Sequence, residues 1–236
     1  MYAHSLHALR ANLSTAFTKP NAVHVAKKPS AFASGGFRSW RSFAALAVSL
    51  LLSLIPWLAP GLAAATTAAF KAGLFDPPRL APDFSLQGSD GHELTFSRYR
   101  GKVVLLAFGF SSCTAVCPVT LATLAQARRQ LGPAAANVQV VYVTVDPERD
   151  VPARLQAFLH NFDATFIGGT GTPEQLATVR KDYGVTAQKI PFGNSFTYTH
   201  SSFTYLIDRG GRIRGLMPYG HSAGDYVNDL TILLKE

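Results

Sequence analysis

The chain is poor in cysteine, with two among 236 residues, at positions 113 and 117. A disulfide-built scaffold needs more thiols, spread wider, so that class is excluded. Acidic residues are missing from the first 42 positions, which hold Arg10, Lys19, Lys27, Lys28, Arg38 and Arg41. All 14 Asp and Glu follow Lys71, where they nearly balance the remaining basic residues. The net charge of +8 therefore belongs mostly to the N-terminus. The later part lacks the electrostatic footprint of a polyanion binder, which argues against nucleic acid as a partner. Internal repeats are absent as well.

Charge of either sign is missing again from Phe43 to Ala69. The densest part of that stretch, Phe43 to Ile55, carries Leu46, Val48, Leu50, Leu51, Leu52, Leu54 and Ile55. About 20 mostly apolar residues suffice to cross a bilayer as a helix. Trp40 and Trp57 flank the dense part, where aromatic rings favour the interface, and Pro56 and Pro60 would kink its far end. With the basic residues before it, the positive-inside rule leaves the N-terminus in the cytoplasm and the C-terminal domain outside. Residues 1–42 thus read as a basic N-terminal segment, 43–65 as a transmembrane anchor, 66–80 as a linker with Pro77 and Pro78, and 81–236 as the folded domain. Leu62-Ala63-Ala64-Ala65 offers a competing signal-peptidase site, and the acid-free start also resembles an organellar transit peptide. Each alternative still delivers the domain across a membrane.

From Pro82 onward the pattern is globular. Two short strands, 84–87 and 93–96, flank Asp90-Gly91, a strong hairpin signal. Lys102 to Gly109 and Val138 to Val145 are apolar runs of the kind buried strands carry. Helices are expected over 118–131, 151–161, 173–183 and 222–234. The third has Thr172 as its cap, Pro173 at its first position and Gly184 after its end. Residues 164–167 read as a short strand, and 202–207 and 212–216 as strands joined through Asp208-Arg-Gly-Gly211. This order predicts an α/β fold, a thioredoxin-like sandwich with an added N-terminal β-hairpin and an inserted helix–strand.

The chemistry concentrates in Phe108-Gly-Phe-Ser-Ser-Cys113-Thr-Ala-Val-Cys117-Pro118, the turn from the first apolar strand to the first long helix. Open α/β sheets bind ligands beyond the carboxyl ends of their strands. A helix N-terminus stabilises a thiolate there. An i, i+4 spacing puts both sulfurs on one face if the turn is helical, and allows a disulfide if it loosens. Soft sulfur ligands suit Cu(I), and a third ligand would accommodate Cu(II) or Zn²⁺. Of seven histidines, His4, His7 and His24 precede the apolar segment. His92 lies on the hairpin, His160 follows a helix and His221 precedes the last one. His200 stands just before a buried strand, where a thioredoxin-like fold places a loop over the cysteine turn.

These residues resemble the Sco/SenC family of copper-handling proteins, from about Ala81 to Leu234. The likeness rests on Ala81-Pro-Asp-Phe84, Phe108-Gly-Phe110, Cys113-x-x-x-Cys117-Pro118 and Val143-Thr-Val-Asp-Pro-Glu-Arg-Asp150. It continues in Phe166-Ile-Gly-Gly-Thr-Gly-Thr-Pro-Glu174, His200-Ser-Ser-Phe-Thr-Tyr-Leu-Ile-Asp208 and Pro218-Tyr-Gly220. The resemblance implies one copper ion, Cu(I) or Cu(II), on Cys113, Cys117 and His200, with Asp146 nearby as a supporting residue. It implies a metallochaperone for the copper A centre of cytochrome c oxidase. Its partners would be oxidase subunit II and a copper donor chaperone. The chain would be a single-pass inner membrane protein, with the C-terminal domain in the periplasm, or in the mitochondrial intermembrane space if eukaryotic. The alternative is a membrane-tethered thiol–disulfide oxidoreductase that uses Cys113 and Cys117 catalytically to reduce subunit II. A peroxidase is argued against by Ala107 and Ser111, where the Pro and Thr of a peroxiredoxin signature would stand. Two departures from the family pattern remove negative charge: Thr199 replaces the usual Asp before the histidine, and Thr114, Ala115 and Val116 supply no acid between the cysteines. Both are expected to disfavour Cu(II) relative to Cu(I).

Overall fold

The computed structural model describes residues 69–236. The basic segment 1–42, the expected anchor 43–65 and the possible cleavage site near Ala65 lie outside the described residues. Among those described, no helix is long and apolar enough to cross a membrane.

Two apolar runs form the centre. Strands β4 (Val103–Gly109) and β5 (Val138–Thr144) are buried along their whole length and pair in parallel, Val103 opposite Val138 through Gly109 opposite Thr144. A strand with both faces covered needs apolar side chains at every position, which is why neither run alternates. Strands β9 (Phe203–Ile207) and β10 (Arg212–Pro218) extend the sheet antiparallel on the β4 side. On the β5 side come β6 (Ile167–Thr170), β2 (Ser85–Gly88) and β3 (Glu93–Thr95). The expected N-terminal hairpin and inserted helix–strand therefore meet, because β2 pairs with β6. Gly91, at φ +83°, makes the β2–β3 turn.

Helix α1 (Val116–Leu131) packs against α4 (Ala223–Lys235), while α2 (Pro152–His160) lies on β6. Helix α3 (Pro173–Tyr183) starts and stops as its sequence requires. Thr172 and Gln175 form a reciprocal capping box, and Gly184 closes the helix in the left-handed region. Ser222 and Asp225 cap α4 in the same way.

Three expectations need correction. The segment expected as a linker, 66–80, contains strand β1 (Gly73–Leu80), paired antiparallel with β10. Its register shifts between Leu74 and Arg79, the stretch that holds Pro77 and Pro78. Proline cannot donate to a ladder but is tolerated at a bulge on an edge strand, and β1 is such an edge. Asp229, fully buried on α4, accepts the backbone N–H groups of Lys71 (2.7 Å) and Ala72 (2.8 Å) and fixes the start of this strand. Second, the strand expected at 164–167 lies at Ile167–Thr170. Its Gly168 and Gly169 read as turn residues, yet a Cβ on Gly168 would meet Leu155 at 2.5 Å and one on Gly169 would meet Leu94 at 2.8 Å. Glycine here allows helix and hairpin to press on the two faces of one strand. Third, the stretch before His200 is no loop. It is a separate two-stranded hairpin, β7 (Ala187–Phe192) and β8 (Ser195–His200), turning at Gly193-Asn194.

Candidate metal centre

Strand β4 ends at Gly109 and α1 begins at Val116, so the cysteine turn sits at the carboxyl end of the central strand. Cys117 is the second residue of α1 and is buried, whereas Cys113 precedes the helix and is half-buried. Both are free thiols. Ala115, at the cap position, offers no side-chain acceptor to the first N–H groups of α1. The Cys113 sulfur takes that place, with the Cys117 N–H directed at it over 3.5 Å.

This arrangement splits the two thiols. The Cys117 side chain beside the Cys113 sulfur is the main cause that brings the Cys113 pKa down to about 3; burial opposes it, and His200 and the backbone N–H groups of Cys117 and Ala115 add to it. Cys117 moves the other way, pushed up by that same shared proton and by burial. The shared proton thus favours the ionised form on Cys113 and the protonated form on Cys117.

His200 ends β8 and hangs over this pair. Its Nε2 lies 3.5 Å from Cys117 Sγ, and its ring edge meets Phe110 with centroids 5.9 Å apart. Its Nδ1 is 2.8 Å from the Ser201 carbonyl oxygen. A carbonyl only accepts, so Nδ1 carries a proton, and in the neutral ring Nε2 presents a lone pair toward the sulfurs. The structure thus brings Cys113, Cys117 and His200 together. No three His, Cys, Asp or Glu side chains among the described residues already form a closed coordination shell, so closing on an ion takes further side-chain movement. A groove of about 530 Å³ beside Cys113, lined by Arg149, Phe196 and Tyr198 among others, leads to the site from solvent.

Asp146 has no hydrogen bond to either cysteine or to His200. It is fully buried and binds the Arg149 guanidinium through Oδ2, while its Oδ1 has no partner among the described residues. Burial raises its pKa, and the Arg149 pairing opposes this. Asp146 also accepts the Asp150 N–H at 2.9 Å, so it ends β5 and starts a turn as well. Its link to the site runs through Arg149. That side chain donates to the Phe196 carbonyl at 3.1 Å and stacks on the Phe196 ring at 4.0 Å, tying β8 to the sheet.

Two site residues escape sequence reasoning. Asp150 is fully buried and binds the Ser111 hydroxyl, the Ser111 N–H at 2.9 Å and the Thr144 hydroxyl at 2.6 Å. It locks the cysteine turn to β5. Tyr142 lies in the middle of β5 with its hydroxyl beside Cys117. A tyrosine within an otherwise apolar run is the one sequence signal that could have found it, since a buried hydroxyl needs a partner.

A sheet with parallel centre strands, a helix launched from the cysteine turn and a histidine arriving on a later segment define a thioredoxin-like domain with a thiol–imidazole centre. The family model for SCO1/SenC matches residues 74–235, so the chain belongs to the Sco/SenC family. The mitochondrial SCO2 homologue of Bos taurus is 38% identical over 133 residues, 55% of this chain and 50% of that protein. A SCO2-like protein of Rickettsia prowazekii is 33% identical over 140 residues, 58% of this chain and 68% of that one. Among solved structures, Bradyrhizobium japonicum ScoI with copper bound is 32% identical, with TM-score 0.61 over 65% of this chain and 99% of that one. The apo Sco1 protein of Thermus thermophilus is 33% identical, with TM-score 0.65 over 72% of this chain and 99% of that one. At 21% identity and TM-score 0.55, BsSco, a member of the Sco family of cytochrome c oxidase assembly proteins, shares the fold.

Proposed function

We propose that the chain binds one copper ion through Cys113, Cys117 and His200 and serves assembly of the copper A centre of cytochrome c oxidase. The observation that carries this reading is the geometry of His200. With bonds of about 2.3 Å to sulfur and about 2.0 Å to imidazole nitrogen, two ligands at a tetrahedral angle stand roughly 3.5 Å apart. Nε2 and Cys117 Sγ stand 3.5 Å apart already. A metal-binding histidine commonly donates its other N–H to a carbonyl, as Nδ1 does here to Ser201. The donor set of two sulfurs and one imidazole suits copper in both oxidation states. Relatives with copper bound, such as the Bradyrhizobium protein, support the same choice.

Copper is the cargo in this reading. Oxidase subunit II is its recipient and a copper donor chaperone its source. The domain faces the periplasm or the mitochondrial intermembrane space, held by the apolar segment 43–65, and relatives from Bos taurus and Saccharomyces cerevisiae are mitochondrial. The test is metal analysis of the purified chain after loading. One copper per chain is expected, with a sulfur-to-copper charge-transfer band in the oxidised form. No uptake by the wild type, or uptake that persists when both cysteines are changed to serine, would sink the reading.

A second reading, thiol–disulfide exchange with subunit II cysteines, is favoured by one observation. Cys113 is half-buried, its pKa is lowered, and Cys117 stands beside it, the arrangement of an attacking and a resolving sulfur. Insulin reduction that is unaffected by His200→Ala would favour it over copper carriage.

A further inference from the structure

Tyr142 sits in β5 opposite Ala107 of β4, and its hydroxyl reaches Gly109 at the end of that strand. Its hydroxyl is buried and has no hydrogen-bond partner among the described residues. Other buried tyrosines are satisfied: Tyr183 donates to the Pro82 carbonyl at 2.7 Å, and Tyr226 to the Thr204 hydroxyl at 3.1 Å. An unpaired buried hydroxyl costs about 1–3 kcal/mol. The place where it stays unpaired is informative. A Cβ built on Gly109 would lie 2.1 Å from the Tyr142 oxygen and 2.8 Å from Cys117 Sγ. Hydroxyl and sulfur therefore share the space left by the missing side chain of Gly109. The sulfur of a neutral thiol is a weak acceptor, whereas a thiolate is a strong one.

We infer that the Tyr142 hydroxyl is a donor held in reserve for the Cys117 thiolate, a positioning residue that favours the metal-bound site over the free thiol. When Cys117 gives up its proton to ligate an ion, its sulfur becomes the partner that the hydroxyl lacks. The hydrogen bond then withdraws charge from sulfur, which is a recognised means of tuning a copper–thiolate centre. The desolvated pocket strengthens the bond. This inference rests on the metal role proposed for Cys117.

The test is Tyr142→Phe in the full chain, with Tyr183→Phe as a control. In the metal-free protein Tyr142→Phe should keep or raise the unfolding midpoint, because an unpaired hydroxyl is removed and the ring retained. Tyr183→Phe should lower it, because a formed hydrogen bond is lost. On loading, Tyr142→Phe should weaken copper about tenfold, as expected for a hydrogen bond to a charged group, and move the sulfur-to-copper band to longer wavelength. Tyr183→Phe should leave band and affinity unchanged. Unchanged affinity and band in Tyr142→Phe, or a lowered midpoint in its metal-free form, would overturn the inference. Ag(I), which needs only thiolates, serves as a second probe. If the wild type takes Ag(I) but no copper, the copper reading falls alone, and a tenfold loss of Ag(I) affinity in Tyr142→Phe still upholds the role of the hydroxyl, an unchanged one overturning it. Uptake of neither ion overturns both.

Discussion

The two halves of the candidate centre are built differently. The cysteine half is part of the domain core. Cys117 is buried at the head of α1, and the turn before it is tied to β5 through fully buried Asp150. The histidine half is a two-stranded hairpin that is mostly exposed, with Phe192 at its tip 72% exposed. A lone hairpin is marginally stable in water. This one is held by Arg149 on Phe196, by a Lys189–Glu148 ion pair at 2.5 Å, and by Thr186–Ser201 contacts at its base. One half is thus fixed with the fold, and the other can be adjusted without unfolding it. That division would suit the proposed copper-carrying role, in which an ion is taken up and released.

Breaking the two halves separately sharpens the contrast. The largest effect is expected on the rigid side. Asp150→Ala leaves the Ser111 N–H and the Thr144 hydroxyl without their acceptor and should cost about 3 kcal/mol of stability, read as a lower urea midpoint. Arg149→Ala should act on the hairpin instead. Amide exchange across residues 187–200 should rise by an order of magnitude or more while that of β4 changes less, because Arg149 is the cation that links Phe196 to Asp146. Equal acceleration in both regions would show that the hairpin is not a separate unit. His200→Ala should keep Cu(I), which two thiolates can hold, and lose Cu(II), checked by competition with chelators for each oxidation state.

A pH experiment separates the two thiols. The Cys113 pKa is depressed, so its thiolate contribution to stability is complete above the ordinary thiol pKa and is lost as pH falls through about 3. Cys117 is shifted upward, so its contribution is present below the ordinary thiol pKa and lost at more alkaline pH. Alkylation of Cys113 by iodoacetamide should therefore hold nearly constant from about pH 8 down to about pH 5. A fall in rate that tracks an ordinary thiol would refute the shared-proton arrangement.

The smallest effect is expected at Thr199. Successive strand residues face opposite sides, so Thr199, exposed on β8, points away from the face that carries His200. An Asp placed there would act on the ion at longer range and through solvent. Thr199→Asp should therefore lower the copper potential only slightly, and a large drop would show that the hairpin turns this residue inward.

Legibility in the sequence followed the range of the interactions. Strands β4 and β5, the capped helix after Thr172 and the cysteine turn depend on neighbouring residues, and their patterns are readable. Strand β1 was hidden because Pro77 and Pro78 mark a linker unless the partner strand β10 is known. Strand β6 was displaced because Gly168 and Gly169 answer to Leu155 and Leu94, which lie far away in sequence. The β7–β8 hairpin has too little burial to produce an alternating pattern. At the site, spacing pointed to the cysteines, while His200 needed the fold and a family likeness. Asp150 and Arg149 stood inside a quoted motif, but their partners Ser111 and Phe196 come from other elements. Tyr142 looked like one more large side chain in an apolar strand.

The clamp of Asp229 on the backbone of Lys71 and Ala72 has one more consequence, in terms of distance. Were residues 70–80 slack, they would let the copper site wander from the point where the chain enters the domain by up to about 3.3 Å per residue, roughly 36 Å in all. Held along β10, they add nothing to that radius. Under the proposed tethered, copper-carrying role, the recipient of the ion would have to come closer, or be brought closer, than a free tether of that length would require.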